Sequence, residues 1–163
     1  MLKLPKNVLT SPTAAAVEKL FVSTEQRLRF GGKVMVSRWV FSQKVRAALS
    51  DVIIGRRLVQ SLEVIGTTLD RELKGLLAVQ QKAEKAPTER LSRLLLLSSD
   101  GSDRFYHDAE SLLLRHGQRT WCCVLEATGE QLGQAIKPGG AAAKAVMIAD
   151  RKALELFLLS LVH

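Results

Sequence analysis

Three runs in the second half of the chain are apolar at nearly every position: LLLL within residues 93–100, WCCVL within 119–127 and AVMIA within 144–150. Runs this short and uniform predict strands covered on both faces, because a strand with one wet face alternates instead. Between them the apolar positions fall three and four apart. Phe105, Tyr106, Ala109, Leu112 and Leu113 mark one face of a helix over 103–116, with Ser102 ahead of it as N-cap and Gly117 behind it as a stop. Thr128, followed three residues later by Gln131, has the form of a capping box and opens a short helix through about Ile136. Asp150 caps a last helix with Leu154, Phe157, Leu158 and Leu161 on its apolar side. Strand and helix alternate three times with short connections. This predicts a layered α/β domain with a mostly parallel central sheet.

The first half is less regular. Residues 42–86 read as helical throughout, interrupted at Gly55 and Gly66 and ending before Pro87. Ser11 and Pro12 mark a helix start for TAAAVEKLF. Residues 31–41 read as a strand with Val34, Val36 and Val40 on one side and Met35, Trp39 and Phe41 on the other.

A length of 163 residues suits one domain with a real core and is short for two. Charge changes the picture more than composition does. The net charge is +8, and residues 1–50 hold nine Lys or Arg against only Glu18 and Glu25, a net of +7 for that segment. A basic leader on a near-neutral body suits RNA, an anionic membrane surface or an import receptor, and RNA is favoured because spread lysines and arginines release counterions from phosphates. A merely soluble basic surface is the plainer alternative. The acid-poor start reads equally as a mitochondrial targeting segment or a retained basic arm. No run approaches the ~18 consecutive apolar residues of a membrane span, so no membrane partner is expected.

Candidate chemistry is sparse. Cys122 and Cys123 are adjacent, point to opposite faces of a strand and read as small buried hydrophobes, with no metal ligation. His107, His116 and His163 are scattered and read as surface histidines. The serines and aspartates of LLLLSSDGSD read as turn and cap residues. Lys137-Pro-Gly-Gly lacks the spacing of a phosphate-binding P-loop and precedes a strand instead of a helix. No cofactor and no catalytic residue is expected.

The order LLLLSSD, helix, WCCVL, EQLGQAI, loop, AVMIAD resembles the kink-turn-binding ribosomal-protein family, which includes the archaeal large-subunit kink-turn protein and its relatives in ribosomes and small nucleolar particles. The matching features are Ser98 to Asp100 closing an apolar strand, the Leu132-Gly133 pair, and a variable loop over 137–143, across roughly 70 residues. The resemblance implies an α-β-α sandwich that binds sharply bent RNA without catalysis. It implies RNA contacts from a glycine motif upstream of the first parallel strand and from the Gly/Pro loop. The upstream motif falls at Gly55-Arg56-Arg57 or at Gly66-Thr67-Thr68; neither carries the family's Asn-Glu pair, and the arginines favour the first. Lys137, Gly139 and Gly140 supply the loop contact, beside the glycine motif in the family's layout, and Lys33 and Arg38 belong to the basic leader. The expected organisation is a basic N-terminal extension over 1–41 and the domain over 42–163, with 67–90 as a helical insertion. The expected function is RNA binding in a ribosome or ribosome-assembly particle, with structured RNA, foremost ribosomal RNA, and other particle proteins as partners. A mitochondrial setting is favoured over a cytoplasmic or nucleolar one. The alternative is a scaffold subunit that kept the fold and lost the RNA contacts.

Overall fold

The computed structural model describes residues 3–55, 57–83 and 90–162. In chain order the elements are α1 Lys6–Leu9, α2 Ala14–Val22, β1 Glu25–Arg27, β2 Met35–Val40, α3 Gln43–Ile54, β3 Leu58–Gln60, α4 Leu62–Ala83, β4 Arg93–Ser98, α5 Asp103–His116, β5 Thr120–Glu126, α6 Gly129–Ile136, β6 Ala145–Ile148 and α7 Arg151–Leu161. The strands form one sheet in the order β1-β2-β5-β4-β6-β3. Its centre, β2-β5-β4, is parallel, and β1, β6 and β3 join antiparallel. Helices cover both faces, giving the layered α/β domain that the strand–helix alternation predicts, as an α-β-α sandwich.

The central strand shows how the sequence does this. Leu94 to Leu97 are fully buried, two on each face. Leu94 and Leu96 pack with Val45, Leu49, Leu132 and Phe157 under α3, α6 and α7, while Leu95 and Leu97 pack with Ile65, Leu69, Leu112 and Leu113 under α4 and α5. Each such side chain contributes about 1.5–3 kcal/mol by leaving water. Cys123 faces the first cluster and Cys122 the second, both as free buried thiols. The caps form as their sequences require. Ser102 accepts from Phe105 N–H at 3.1 Å, Asp150 from Ala153 N–H at 3.0 Å, and Thr128 and Gln131 close both halves of the capping box.

Five expectations need correction. Residues 14–41 are not an extension: β2 pairs with β5 inside the sheet, and Val17, Phe21, Val36 and Trp39 are buried. Residues 42–86 are not helical throughout, because Leu58–Gln60 pair with β6 as an edge strand. Gly66 does not break a helix; it is buried within α4, where an added Cβ would sit 3.4 Å from Leu112. The insertion expected at 67–90 falls instead on a continuous helix whose Leu69 belongs to the core, while residues 84–89 lie outside the described residues. His116 is buried, not on the surface, because Asp70 of α4 shares a 2.7 Å hydrogen bond with its Nε2.

Candidate nucleic-acid interface

The register brings the ends of distant segments into line. Leu58 stands opposite Ile148, Ile148 opposite Leu94, and Leu94 opposite Trp121, so these four form one row across the sheet. Just beyond that row lie Arg57 before β3, Arg93 at the start of β4, Arg119 before β5 and Arg151 after β6. Every one of these strand ends carries an arginine. They collect at the rim where the parallel strands begin, and they come from four separated stretches of sequence.

On the underside of this rim a cleft of about 500 Å³ is lined by Lys6, Arg90, Arg93, Arg119, Asp150 and Arg151, among others. Glu72, reaching in from α4, organises its inner wall. It accepts from Arg93 Nη2 at 2.6 Å and Nε at 3.1 Å, and from Arg119 Nη2 at 2.9 Å. One carboxylate thus holds two guanidinium groups. Burial and the neighbouring Arg93 charge lower the pKa of Arg119, against the opposing pull of Glu72. Arg119 Nε is buried with no partner. Counting Glu72 and Asp150 against five cations leaves the cleft net positive. Such an arrangement favours an anion with several oxygens.

At the opposite rim, where α/β sheets commonly hold ligands, side-chain caps occupy the starts of three helices. Ser42, Ser102 and Thr128 bind the first-turn N–H groups of α3, α5 and α6, and Asp100 Oδ1 accepts from Gly129 N–H at 2.9 Å. Burial opposes ionisation of Asp100, but the Ser98 hydroxyl, the Gly129 N–H and the Lys144 charge outweigh it and hold the carboxyl below the usual aspartate range.

The residues singled out in the sequence fall into separate groups. Gly55 ends α3 instead of opening a helix, and its N–H donates to Asp51 O at 3.2 Å, while Arg57 N–H donates to Val52 O at 3.2 Å. Both of these backbone donors are therefore engaged, although the Arg57 side chain is exposed at the basic rim. Arg56 lies outside the described residues. Lys33 is exposed in the β1–β2 hairpin, whose turn lies at the same end of the sheet as the arginines. Arg38 is paired with Glu126 at 3.3 Å on β2 and β5.

Lys137, Gly139 and Gly140 form a turn folded back along α6. Gly140 N–H donates to Lys137 O at 2.8 Å, and Gly139 N–H to Gln134 Oε1 at 2.8 Å. Gly139 has φ +75, which glycine adopts without strain. The buried Leu132-Gly133 pair serves this packing: a Cβ on Gly133 would run into the Ala141 carbonyl. The loop enters β6 at Ala145, whereas the Arg57 carbonyl accepts from Ala149 N–H at the other end of that strand. The two contacts expected to lie side by side attach at opposite ends of β6, and no hydrogen bond or ion pair among the described residues joins them.

Sequence reasoning missed Arg90, Arg93, Arg119, Arg151 and Lys6. Their signal is a basic residue beside an apolar run, as in SRLLLL, QRTWCC and ADRKA.

Among the described residues no group of three or more His, Cys, Asp or Glu is placed to hold a metal ion, and no helix is long and apolar enough to cross a membrane. No family model matches the chain. No curated protein matches it either. Among solved structures, a protein with unknown function from Bacillus halodurans C is similar, with a TM-score of 0.45 and 18% identity, over 75% of this chain and 100% of that one.

Proposed function

We propose that the chain is an RNA-binding protein that grips phosphates with the basic rim at the start of its parallel strands, acting without catalysis in a ribosome or a ribosome-assembly particle. The observation that carries this reading is the cleft in which Lys6, Arg90, Arg93, Arg119 and Arg151 converge on one opening. Cations spaced along a rim neutralise successive phosphates and release their counterions, which gives affinity with a steep salt dependence. Arginine, with its planar fork of donors, suits phosphate oxygens better than lysine does.

The test is fluorescence anisotropy with a labelled, bulged RNA hairpin at several salt concentrations. Arg90→Glu with Arg151→Glu removes two cations outside the Glu72 network. It is expected to weaken binding at least tenfold and to lower the salt slope by about two. Lys137→Glu with Lys144→Glu, at the α6 loop, is the comparison and is expected to have a much smaller effect. Equal losses from both pairs would reject the rim as the interface, and salt-insensitive or absent binding would reject the RNA reading.

A protein-scaffold reading has one observation in its favour. Leu76, Leu77 and Val79 stand exposed on the last turns of α4. Co-purification of a stoichiometric protein partner that Leu77→Glu abolishes, without bound RNA, would favour it.

A further inference from the structure

The hairpin joining β1 and β2 ends in Arg29-Phe30-Gly31-Gly32, and Phe30 at its tip is bare, with 103% relative exposure. A lone exposed apolar side chain is ordinary, but this one sits on a turn that is held unusually firmly. Gly32 N–H donates to Arg29 O at 3.0 Å, and Gly31 has φ +76, which defines a tight turn with Phe30 at its first central position. Beneath it lies Glu110 of α5, a carboxylate buried at the side of the hairpin. It accepts from Lys33 N–H at 3.1 Å, Val34 N–H at 3.4 Å and Arg29 Nε at 3.2 Å. Arg27 Nη1 closes the loop from within by donating to Gly32 O at 3.1 Å. The backbone of Gly32 rests so close to Glu110 that a Cβ there would meet the carboxylate.

The chain thus commits a buried acid to fixing a turn whose one aromatic side chain is fully exposed. A side chain that needed only to avoid water would have folded back onto the sheet. Fixing it outward removes in advance the ordering cost of using it in a contact. Its surroundings are cationic: Glu110 neutralises Arg29, while Arg27 and Lys33 remain exposed on either side of the tip. An aromatic face between cations suits a partner with flat rings joined by phosphates. The hairpin turns at the same end of the sheet as the arginine rim.

We infer that Phe30 is a stacking platform for an unpaired base of the bound RNA, with Arg27 and Lys33 on the flanking phosphates. This inference rests on the RNA-binding reading and adds to it a single-stranded nucleotide as the ligand of the hairpin. Lys33, assigned to RNA contact from the sequence, acquires a neighbour, Phe30, that the sequence reading passed over.

Binding of the full chain to a single-stranded oligouridine of about ten nucleotides and to inorganic polyphosphate tests it, comparing wild type with Phe30→Ala and Phe30→Trp. Phe30→Ala is expected to weaken oligouridine binding on the order of tenfold with polyphosphate binding unchanged. Phe30→Trp is expected to retain affinity, and its new fluorescence to be quenched by oligouridine but not by polyphosphate. Equal oligouridine affinity of wild type and Phe30→Ala, with binding still salt-sensitive, overturns the stacking role and leaves the basic-rim reading standing. No binding of wild type to any RNA overturns both. A blue shift of the Phe30→Trp emission on vesicles of anionic phospholipid, with no response to oligouridine, overturns the inference in favour of a membrane surface.

Discussion

Replacing Glu72 with Gln separates the two roles of the basic cleft, since it should weaken the fold and strengthen the cleft's hold on anions. Glu72 receives N–H groups from Arg93 and Arg119, and the three side chains are only 15%, 24% and 13% exposed for Arg93, Glu72 and Arg119 respectively. Breaking one partner out of a fully buried pair costs about 3–5 kcal/mol. Gln keeps the shape and one acceptor oxygen, and both guanidinium groups keep some access to water, which lowers the expected loss to roughly 2–3 kcal/mol. In a chain of this size each kcal/mol shifts Tm by about 2–4 °C, so Tm should fall by roughly 4–12 °C. Urea unfolding followed by far-UV circular dichroism measures the loss without adding salt, which guanidinium chloride would do. The same variant carries one more uncompensated charge in the cleft, so polyphosphate should raise its Tm further than that of the wild type. A loss below about 0.5 kcal/mol, the range of ordinary surface substitutions, would refute the claim that one carboxylate holds two arginines. A fall in stability without the larger polyphosphate effect would refute the cleft as an anion site.

The remaining predictions concern acid, packing and thiol reactivity. Burial alone would raise the pKa of Glu110, but the Val34 and Lys33 N–H groups and the Arg29 charge hold it below the ordinary 4.5. The unfolded chain therefore takes up that proton first. The stability Glu110 contributes is complete above about 4.5 and drains as pH falls through its lower folded value, so a pH–Tm profile should drop in acid and flatten in Glu110→Gln. Gly133→Ala should cost about 1–3 kcal/mol by driving a methyl into the Ala141 carbonyl, measured by urea unfolding; a neutral result would mean that the loop yields freely. Burial raises both cysteine thiols well above their usual range, so a thiol-reactive dye at neutral pH should label neither until urea unfolds the chain.

What the sequence disclosed follows from how far each feature's causes lie along the chain. The strands β4, β5 and β6 and the helices after them have local causes: uniform apolar runs, side-chain caps and three-four spacing. All were readable. The edge strands β1 and β3, Glu-Gln-Arg and Leu-Val-Gln, are three residues each and have no periodicity to read. They are strands only because β2 and β6 supply partners. The burial of His116 depends likewise on Asp70, 46 residues away. The basic leader was read as one charged segment because charge was summed along the chain. Folding groups charges by strand end instead, putting Arg57, Arg93, Arg119 and Arg151, all outside that segment, on one rim and leaving Arg38 of the leader beside Glu126. Phe30 was invisible as a feature until the turn that displays it was built.

The place of β2 in the sheet also sets an order of events during synthesis. Its parallel partner is β5, with Ser37 opposite Cys123, so the register spans 86 residues. At about 5–20 residues per second the ribosome needs roughly 4–17 s to make that stretch. Throughout that interval β2 has β1 and α2 beside it but lacks its parallel neighbour. The sheet therefore closes around β2 only once β5 has been made, although β2 is among the first strands to leave the ribosome.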